Sequence, residues 1–315
     1  MRIKTMIMAA SAAVMAVALA VPAQAEWTPE RPIQIVVGFA PGGGTDATAR
    51  LIASAAQEFF PVPLVVVNRP GASGTLAAEL VANAEPDGYT LLVAGGSEST
   101  SVPNHLKTNY KLDQFRGVIR VNREHMVIVT KKGSGLDSID KVVEQAKIAP
   151  GTLTYGSSGP ASILHSSFLV LEKDAGIKMT HVPYKGGAPA LAALLGGHVD
   201  MTILTPADAQ TQSEAGNVNA LATTSDRAAQ LPDVKSLSEL GYNVNLENMK
   251  GLVAPAATPD EVVAYLHERF KKAMESETFA SLAGRAKIVP GYLNGADFEK
   301  AMQSMSASIA AALGS

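Results

Sequence analysis

Apolar residues along this chain alternate between two spacings. Ile33–Phe39, Leu64–Val67 and Thr90–Val93 are short, nearly continuous apolar runs, as strands buried on both faces require. Between them, Thr45–Phe60 and Thr75–Ala84 place apolar residues at helical intervals, so each predicts a helix burying one face. After Val118–Val121 and Met126–Thr130 the alternation restarts. Ser138–Ile148, Ala161–Ala175 and Ala188–Leu195 read as helices; Leu153–Tyr155, Thr180–Val182, Val199–Ile203 and Ala220–Thr223 read as strands. The stretch 224–248, with Pro232, Gly241 and several asparagines, reads as a return crossing, and Gly251–Val253 and the amphipathic Pro259–Glu275 close the series. Such alternation predicts an α/β architecture with parallel sheets.

Two junctions in this pattern resemble each other. Strand 33–39 runs through Pro41-Gly42-Gly43-Gly44 into Thr45 and Asp46, a glycine-rich turn opening a helix. Tyr155-Gly156-Ser157-Ser158-Gly159-Pro160-Ala161-Ser162 repeats the theme with hydroxyls. A helix start offers free N–H groups and the positive end of its dipole, so both loops suit an anion. Open α/β sheets bind ligands at such edges, which predicts two domains facing each other across a cleft. A chain of 315 residues is long enough for two cores.

The N-terminus changes the picture by setting a compartment. Arg2 and Lys4, the apolar run Ile7 to Val21, and Ala23-Gln24-Ala25 form a secretory signal, with cleavage expected after Ala25 and release to the periplasm. With 26 Lys+Arg against 29 Asp+Glu the chain is mildly acidic, and the leader carries two of those cations. That balance gives no support to nucleic-acid binding. The absence of cysteine removes disulfides, thiolate catalysis and Cys-based metal sites.

Candidate chemistry narrows further. Gly38 to Gly43-Gly44-Thr45 has a P-loop outline with Gly44 where lysine belongs, so nothing reaches the outer phosphates. A dinucleotide fingerprint lacks its ribose acid, because the second strand ends at Asn68. The six histidines form no metal-binding pair, no G-x-S-x-G is present, and Ser138-x-x-Lys141 better opens a helix, so neither metal, cofactor nor catalysis is expected. Asp46 reads as a capping and loop-fixing residue with Pro41, and of Ser157, Ser158 and Ser162 at least one caps and one binds. His165, one turn into the second helix, faces either the cleft or a helix neighbour; Lys185 is either a ligand partner or a solvated charge. Ser97 and Thr205 end strands at the proposed cleft edge.

Several motifs in order resemble the tripartite tricarboxylate transporter substrate-binding family, also called Bug proteins. They are Pro41-Gly42-Gly43-Gly44-Thr45-Asp46, Val67-Asn68-Arg69-Pro70-Gly71-Ala72-Ser73-Gly74, Ala84-Glu85-Pro86-Asp87-Gly88-Tyr89-Thr90-Leu91-Leu92, Pro183-Tyr184-Lys185-Gly186-Gly187 and Leu221-Ala222-Thr223-Thr224-Ser225-Asp226-Arg227. The resemblance implies a two-domain periplasmic-binding (Venus flytrap, type II-like) fold without catalysis, expected to work as a monomer. It divides the mature chain into 26–122 with 248–315, and 123–247. It implies a small organic carboxylate as ligand, delivered to membrane transporter subunits. The carboxylate is expected between loops Phe39–Thr45 and Tyr155–Ser162, with Phe39, Gly42, Gly43, Gly44, Thr45, Ser97, Tyr155, Ser157, Ser158, Ala161, Ser162, His165, Lys185 and Thr205 as candidate contacts. The chain departs from the family near Asn248-Met249-Lys250, where an aromatic residue is common before Gly-Leu-x-Ala-Pro. A ligand-presenting sensor and an exported enzyme acting on an anion are the alternatives.

Overall fold

The computed structural model describes residues 27–314, so the secretory leader expected over 1–25 lies outside the described residues. Eleven strands, among the described residues, form two sheets. The six-stranded sheet contains β1 (Ile33–Val37), β2 (Leu64–Asn68), β3 (Thr90–Ala94), β4 (Phe115–Asn122), β10 (Lys250–Pro255) and β11 (Pro290–Asn294), in the order β11-β4-β10-β3-β1-β2. The five-stranded sheet contains β5 (Val127–Lys131), β6 (Thr154–Ser157), β7 (Thr180–Pro183), β8 (Met201–Leu204) and β9 (Val218–Thr223), in the order β7-β6-β8-β5-β9.

The sheets are mixed, which corrects the expectation of purely parallel ones. β1 runs parallel to β2 and β3, and β6 parallel to β7 and β8, because helices carry the chain back between them. The strands next to the crossings between sheets run antiparallel: β10 against β3 and β4, β5 against β8 and β9. The chain leaves the first sheet along β4 and returns along β10, so Asn122 pairs with Lys250 where both crossings meet the sheet. On the far side Val127 pairs with Thr223 in the same manner. Two connections lying side by side are what a hinge between lobes requires.

Helix α1 (Gly44–Ala56) follows β1 and α2 (Thr75–Ala82) follows β2; α3 (Ile139–Ile148), α4 (Ile163–Ala175), α5 (Gly187–Leu195) and α6 (Pro206–Glu214) belong with the second sheet. Ser138, at the start of α3, accepts a hydrogen bond from the Lys141 amide, so the S-x-x-K serine serves as a helix cap. The chain does not close with the amphipathic stretch at 259–275. After α7 (Asp260–Met274) come α8 (Glu277–Ala286), edge strand β11 and the long α9 (Gly295–Leu313). Helix α9 buries Phe298, Met302, Met305 and Ile309, one stripe at three- and four-residue spacing, and packs on both β4 and α4. One apolar core consequently joins the two sheets, with Leu92, Val253 and Phe298 in the same cluster as Ile128, Tyr155 and Phe168. A second core lies under α1, α7 and α8, around Ile52, Leu266 and Phe270.

The glycine loop after β1 is held against a neighbouring turn by a close backbone approach. A β-carbon on Gly38 would stand 2.6 Å from Gly74 Cα and 2.9 Å from its carbonyl oxygen, backbone atoms with little room to yield. Gly38→Ala is therefore expected to cost about 2 kcal/mol and lower the thermal midpoint by about 4–8 °C. A differential scanning measurement that finds the midpoint unchanged contradicts this packing.

Candidate functional site

The first loop is organised by one carboxylate. Asp46 lies in the first turn of α1, where Oδ2 accepts from the Gly42 amide (2.9 Å) and Arg50 Nε (2.9 Å). Its Oδ1 accepts from Asn68 Nδ2 (2.8 Å), which also donates to the Phe39 carbonyl (3.0 Å). Burial alone raises the Asp46 pKa, but these donors outweigh it and hold the carboxyl at about 2. Gly42 takes a left-handed φ of 86°, which turns the chain back so that its amide meets that carboxylate. Gly43 caps α1 without any side-chain hydrogen bond, which leaves the first amides of the helix open.

The second loop is fastened from two sides. Ser162 caps α4 by accepting from the His165 amide, and His165 Nδ1 accepts from the Ala161 amide at 3.2 Å. From the first sheet, the buried π-helical turn Ser97–Ser101 reaches across. Ser97 Oγ accepts from the Ile163 amide (3.1 Å), and Ser101 Oγ donates to the Ala161 carbonyl (2.7 Å). Behind the loop stand three stacked imidazoles. The His165 and His181 centroids are 3.8 Å apart with planes at 10°; His105 lies 5.2 Å from His165, and Tyr155 lies 5.2 Å from His181. Burial lowers the pKa of all three histidines, and mutual repulsion from His181 and His105 helps bring His165 to about 3.

Two serine–histidine hydrogen bonds fall in this region: Ser157 Oγ to His181 Nε2 at 2.6 Å, and Ser166 Oγ to His105 Nε2 at 2.8 Å. Ser157 spends its proton on the Gly159 carbonyl. Ser101 spends its own on the Ala161 carbonyl, so Ser166 donates to Ser101. When the serine protons go to these carbonyls, both imidazoles donate to serine, the reverse of nucleophile activation.

Between the lobes lie three adjoining cavities of about 120, 260 and 350 Å³. The smallest is walled by Phe39, Thr45, Ser97 and Ser158, and by Glu98, Leu164, Asn248 and Lys250. The largest adds Gly44, Thr205, Glu124, Asp208 and Leu191. The structure thus brings Phe39, Gly44, Thr45, Ser97, Ser158 and Thr205 to one cleft. Tyr155, Ser157, Ala161, Ser162 and His165 stand behind that wall and shape it, as does Asp46, whereas Pro41, Gly42 and Gly43 are exposed and line none of the three cavities. Lys185 is exposed and lines none of the three cavities.

The charged residues of the cleft were not among the candidates. Lys250 Nζ bonds Glu124 Oε2 at 2.9 Å with only 4 % of its side chain exposed, and its charge pulls the buried Glu124 pKa down. Glu98 is buried beneath the cleft, where Gly96 N and Ser99 Oγ donate to it, and burial raises its pKa. In the sequence only the departure at Asn248-Met249-Lys250 signalled this group. Around the cleft, the N-termini of α1, α4, α5 and α6 contribute Thr45, Leu164, Gly187 and Thr205 to its walls. Four helix dipoles thus turn their positive ends to one space.

Two lobes, side-by-side crossings and a cleft ringed by helix N-termini define a solute-binding clamshell. The chain belongs to the tripartite tricarboxylate transporter family receptors, whose family model matches residues 48–312. It is 35 % identical over 290 residues to the UPF0065 protein in the gbd 5′ region of Cupriavidus necator, covering 91 % of this chain and 88 % of that one. It is 33 % identical over 264 residues to BugT of Bordetella pertussis, covering 82 % and 81 %. Among solved structures it resembles a TctC solute-binding protein from Polaromonas (TM-score 0.79, 27 % identity, covering 91 % and 99 %). It also resembles R. palustris Rpa4515 with adipate (0.75, 29 %, 91 % and 98 %) and MatC of Rhodopseudomonas palustris with bound malate (0.75, 26 %, 90 % and 99 %). The two-domain flytrap expectation holds at the level of the fold. This is a solute-binding protein of the TctC/Bug type, a family of periplasmic receptors. Among the described residues, no helix is long and apolar enough to cross a membrane.

Proposed function

We propose that this protein captures a small organic carboxylate in the cleft, as a periplasmic monomer released by cleavage after Ala25. It then presents the ligand to the membrane subunits of a tripartite tricarboxylate-type transporter. The observation that carries this reading is the convergence of four helix N-termini on a cleft that also holds the Lys250 ammonium. A carboxylate there gains about 1.5–3 kcal/mol per charge-assisted hydrogen bond, and micromolar affinity needs about 8 kcal/mol net. A few such bonds with burial of the ligand body suffice. Adipate and malate in the structurally similar proteins support the ligand class.

Closure would take 123–126 and 224–249 as the hinge and divide the mature chain into 26–122 with 248–315, and 123–247. Ion pairs lace those connections: Glu247 binds Arg120 (3.0 Å) and Arg123 (2.7 Å), and Arg123 binds Asp226 (2.8 Å). A ligand touching both lobes raises the population of the closed form, which the transporter reads. Catalysis is not part of this proposal. Calorimetry and thermal-shift screening against mono-, di-, tri- and aromatic carboxylates test the reading. At least one is expected to bind at micromolar affinity and raise the thermal midpoint, and a screen in which none does overturns it.

A further inference from the structure

Among the described residues, Lys250 is the one that lines all three cavities of the cleft. Its ammonium lies against the start of α1, where a β-carbon on Gly44 would be 3.8 Å from Nζ. Of three N–H donors, one is spent on Glu124 Oε2; the other two have no partner among the described residues. Glu124 is equally incomplete. Its Oε2 also accepts from Asn248 Nδ2 at 2.9 Å, while Oε1 accepts nothing among the described residues, and its side chain is 25 % exposed onto two of the cavities. Met126, Leu164, Leu191 and Ile203 give the same cavity an aliphatic lining. The remaining charged groups lining the three cavities are Asp208, which accepts from Thr205 Oγ1, Arg123, engaged by Glu247 and Asp226, Glu98, which accepts from Gly96 N and Ser99 Oγ, and the exposed Lys287.

A half-satisfied ion pair in a cavity with an aliphatic lining is costly until something completes it. A bare carboxylate completes only the lysine and brings a second negative charge toward Glu124. A carboxylate with a hydrogen-bond donor on the neighbouring carbon completes both. We propose that Lys250 and Glu124 form an amphoteric subsite, the ammonium taking the ligand carboxylate and Glu124 Oε1 accepting from a hydroxyl or ammonium beside it. This chain would then select 2-hydroxy or 2-amino carboxylates over unsubstituted ones. The inference rests on the carboxylate reading and deepens it, because a site built to hydrogen-bond a substituent rejects the analogue lacking it.

Calorimetry with succinate, malate and aspartate, and with propionate, lactate and alanine, tests it, since each set differs only in the 2-substituent. Malate or aspartate is expected to bind at least tenfold tighter than succinate, and the arms separate hydroxyl from ammonium as the preferred donor. Glu124→Gln should narrow that preference to threefold or less while succinate still binds. Lys250→Met should weaken every acid at least tenfold. If Lys250→Met alone fails to fold, the double variant with Glu124→Gln, which leaves no orphan charge, takes its place and should lose both affinity and preference. A wild type without preference, or a preference that Glu124→Gln leaves intact, overturns the subsite alone. So does failure of all six acids while donor-free tricarballylate or benzoate binds. Failure of every carboxylate overturns the parent reading as well.

Discussion

Replacing Asp46 by alanine is expected to destabilise the protein by about 2 kcal/mol and to weaken carboxylate binding at least tenfold. The side chain is 3 % exposed and satisfies the Gly42 amide, Asn68 Nδ2 and Arg50 Nε at once. Alanine leaves the Gly42 amide and the second N–H of Asn68 Nδ2 without an acceptor in a part-buried loop, while Asn68 keeps its bond to the Phe39 carbonyl, at about 1–3 kcal/mol for an unsatisfied buried group. The half-exposed Arg50 contributes little. The binding loss follows because the amides open to a ligand belong to the turn that this carboxylate holds. Asp46→Asn should lie between the two, keeping one acceptor without the charge. Its deficit has a definite pH window. The folded pKa near 2 lies below the unfolded 3.8, so the charged form stabilises the fold above about pH 3.8 and that benefit is lost toward pH 2. Thermal unfolding and calorimetry with any carboxylate that binds check both parts. An alanine variant with wild-type midpoint and affinity contradicts them.

Mild acid should destabilise the protein through its imidazole stack. His105, His165 and His181 all have folded pKa values below the usual 6.5, with His165 at about 3. The unfolded chain therefore binds more protons below pH 6.5, so stability is full above that pH and falls as pH drops from 6.5 toward 3. The geometry agrees with the sign. His165 Nδ1 accepts a backbone N–H and cannot carry a proton there, and among the described residues no carboxylate hydrogen-bonds any of the three rings. Each proton excluded costs at most about 1.4 kcal/mol per pH unit. With partial exposure halving that, His165 alone loses about 0.7 kcal/mol per unit, and His105 and His181 act in the same direction. The thermal midpoint should fall by at least about 2 °C between pH 6.5 and 5.5. His165→Asn should flatten the slope, and equal slopes for both proteins contradict the assignment.

The parts of this molecule legible in its sequence are those built by neighbours. The helix start at Asp46, the cap at Ser162 and the turn at Gly42 depend on residues within four positions. Alternating runs likewise reported most strands and helices between residues 33 and 275, but not α6 (Pro206–Glu214), whose Pro-Ala-Asp-Ala-Gln-Thr-Gln-Ser-Glu sequence carries almost no apolar face. Beyond residue 275 the composition of α9 is rich in alanine, serine and methionine. Its stripe at Phe298, Met302, Met305 and Ile309 gains meaning only from β4 and α4.

The sequence by itself determined the two anion-suited loops, the family they resemble, and the exclusion of thiol and phosphate-loop chemistry. Only the tertiary structure decided which residues face the cleft. It moved His165, Ser157 and Tyr155 behind the wall, left Lys185 exposed, and placed Lys250 and Glu124 in the cleft walls with Glu98 buried beneath. The reason is separation along the chain. Lys250 meets Glu124 across 126 positions and Ser101 meets Ser166 across 65, because two crossings fold the chain back upon itself. Local spacing carries no information about pairs so far apart, whereas a dipole at a helix start is set within its first turn.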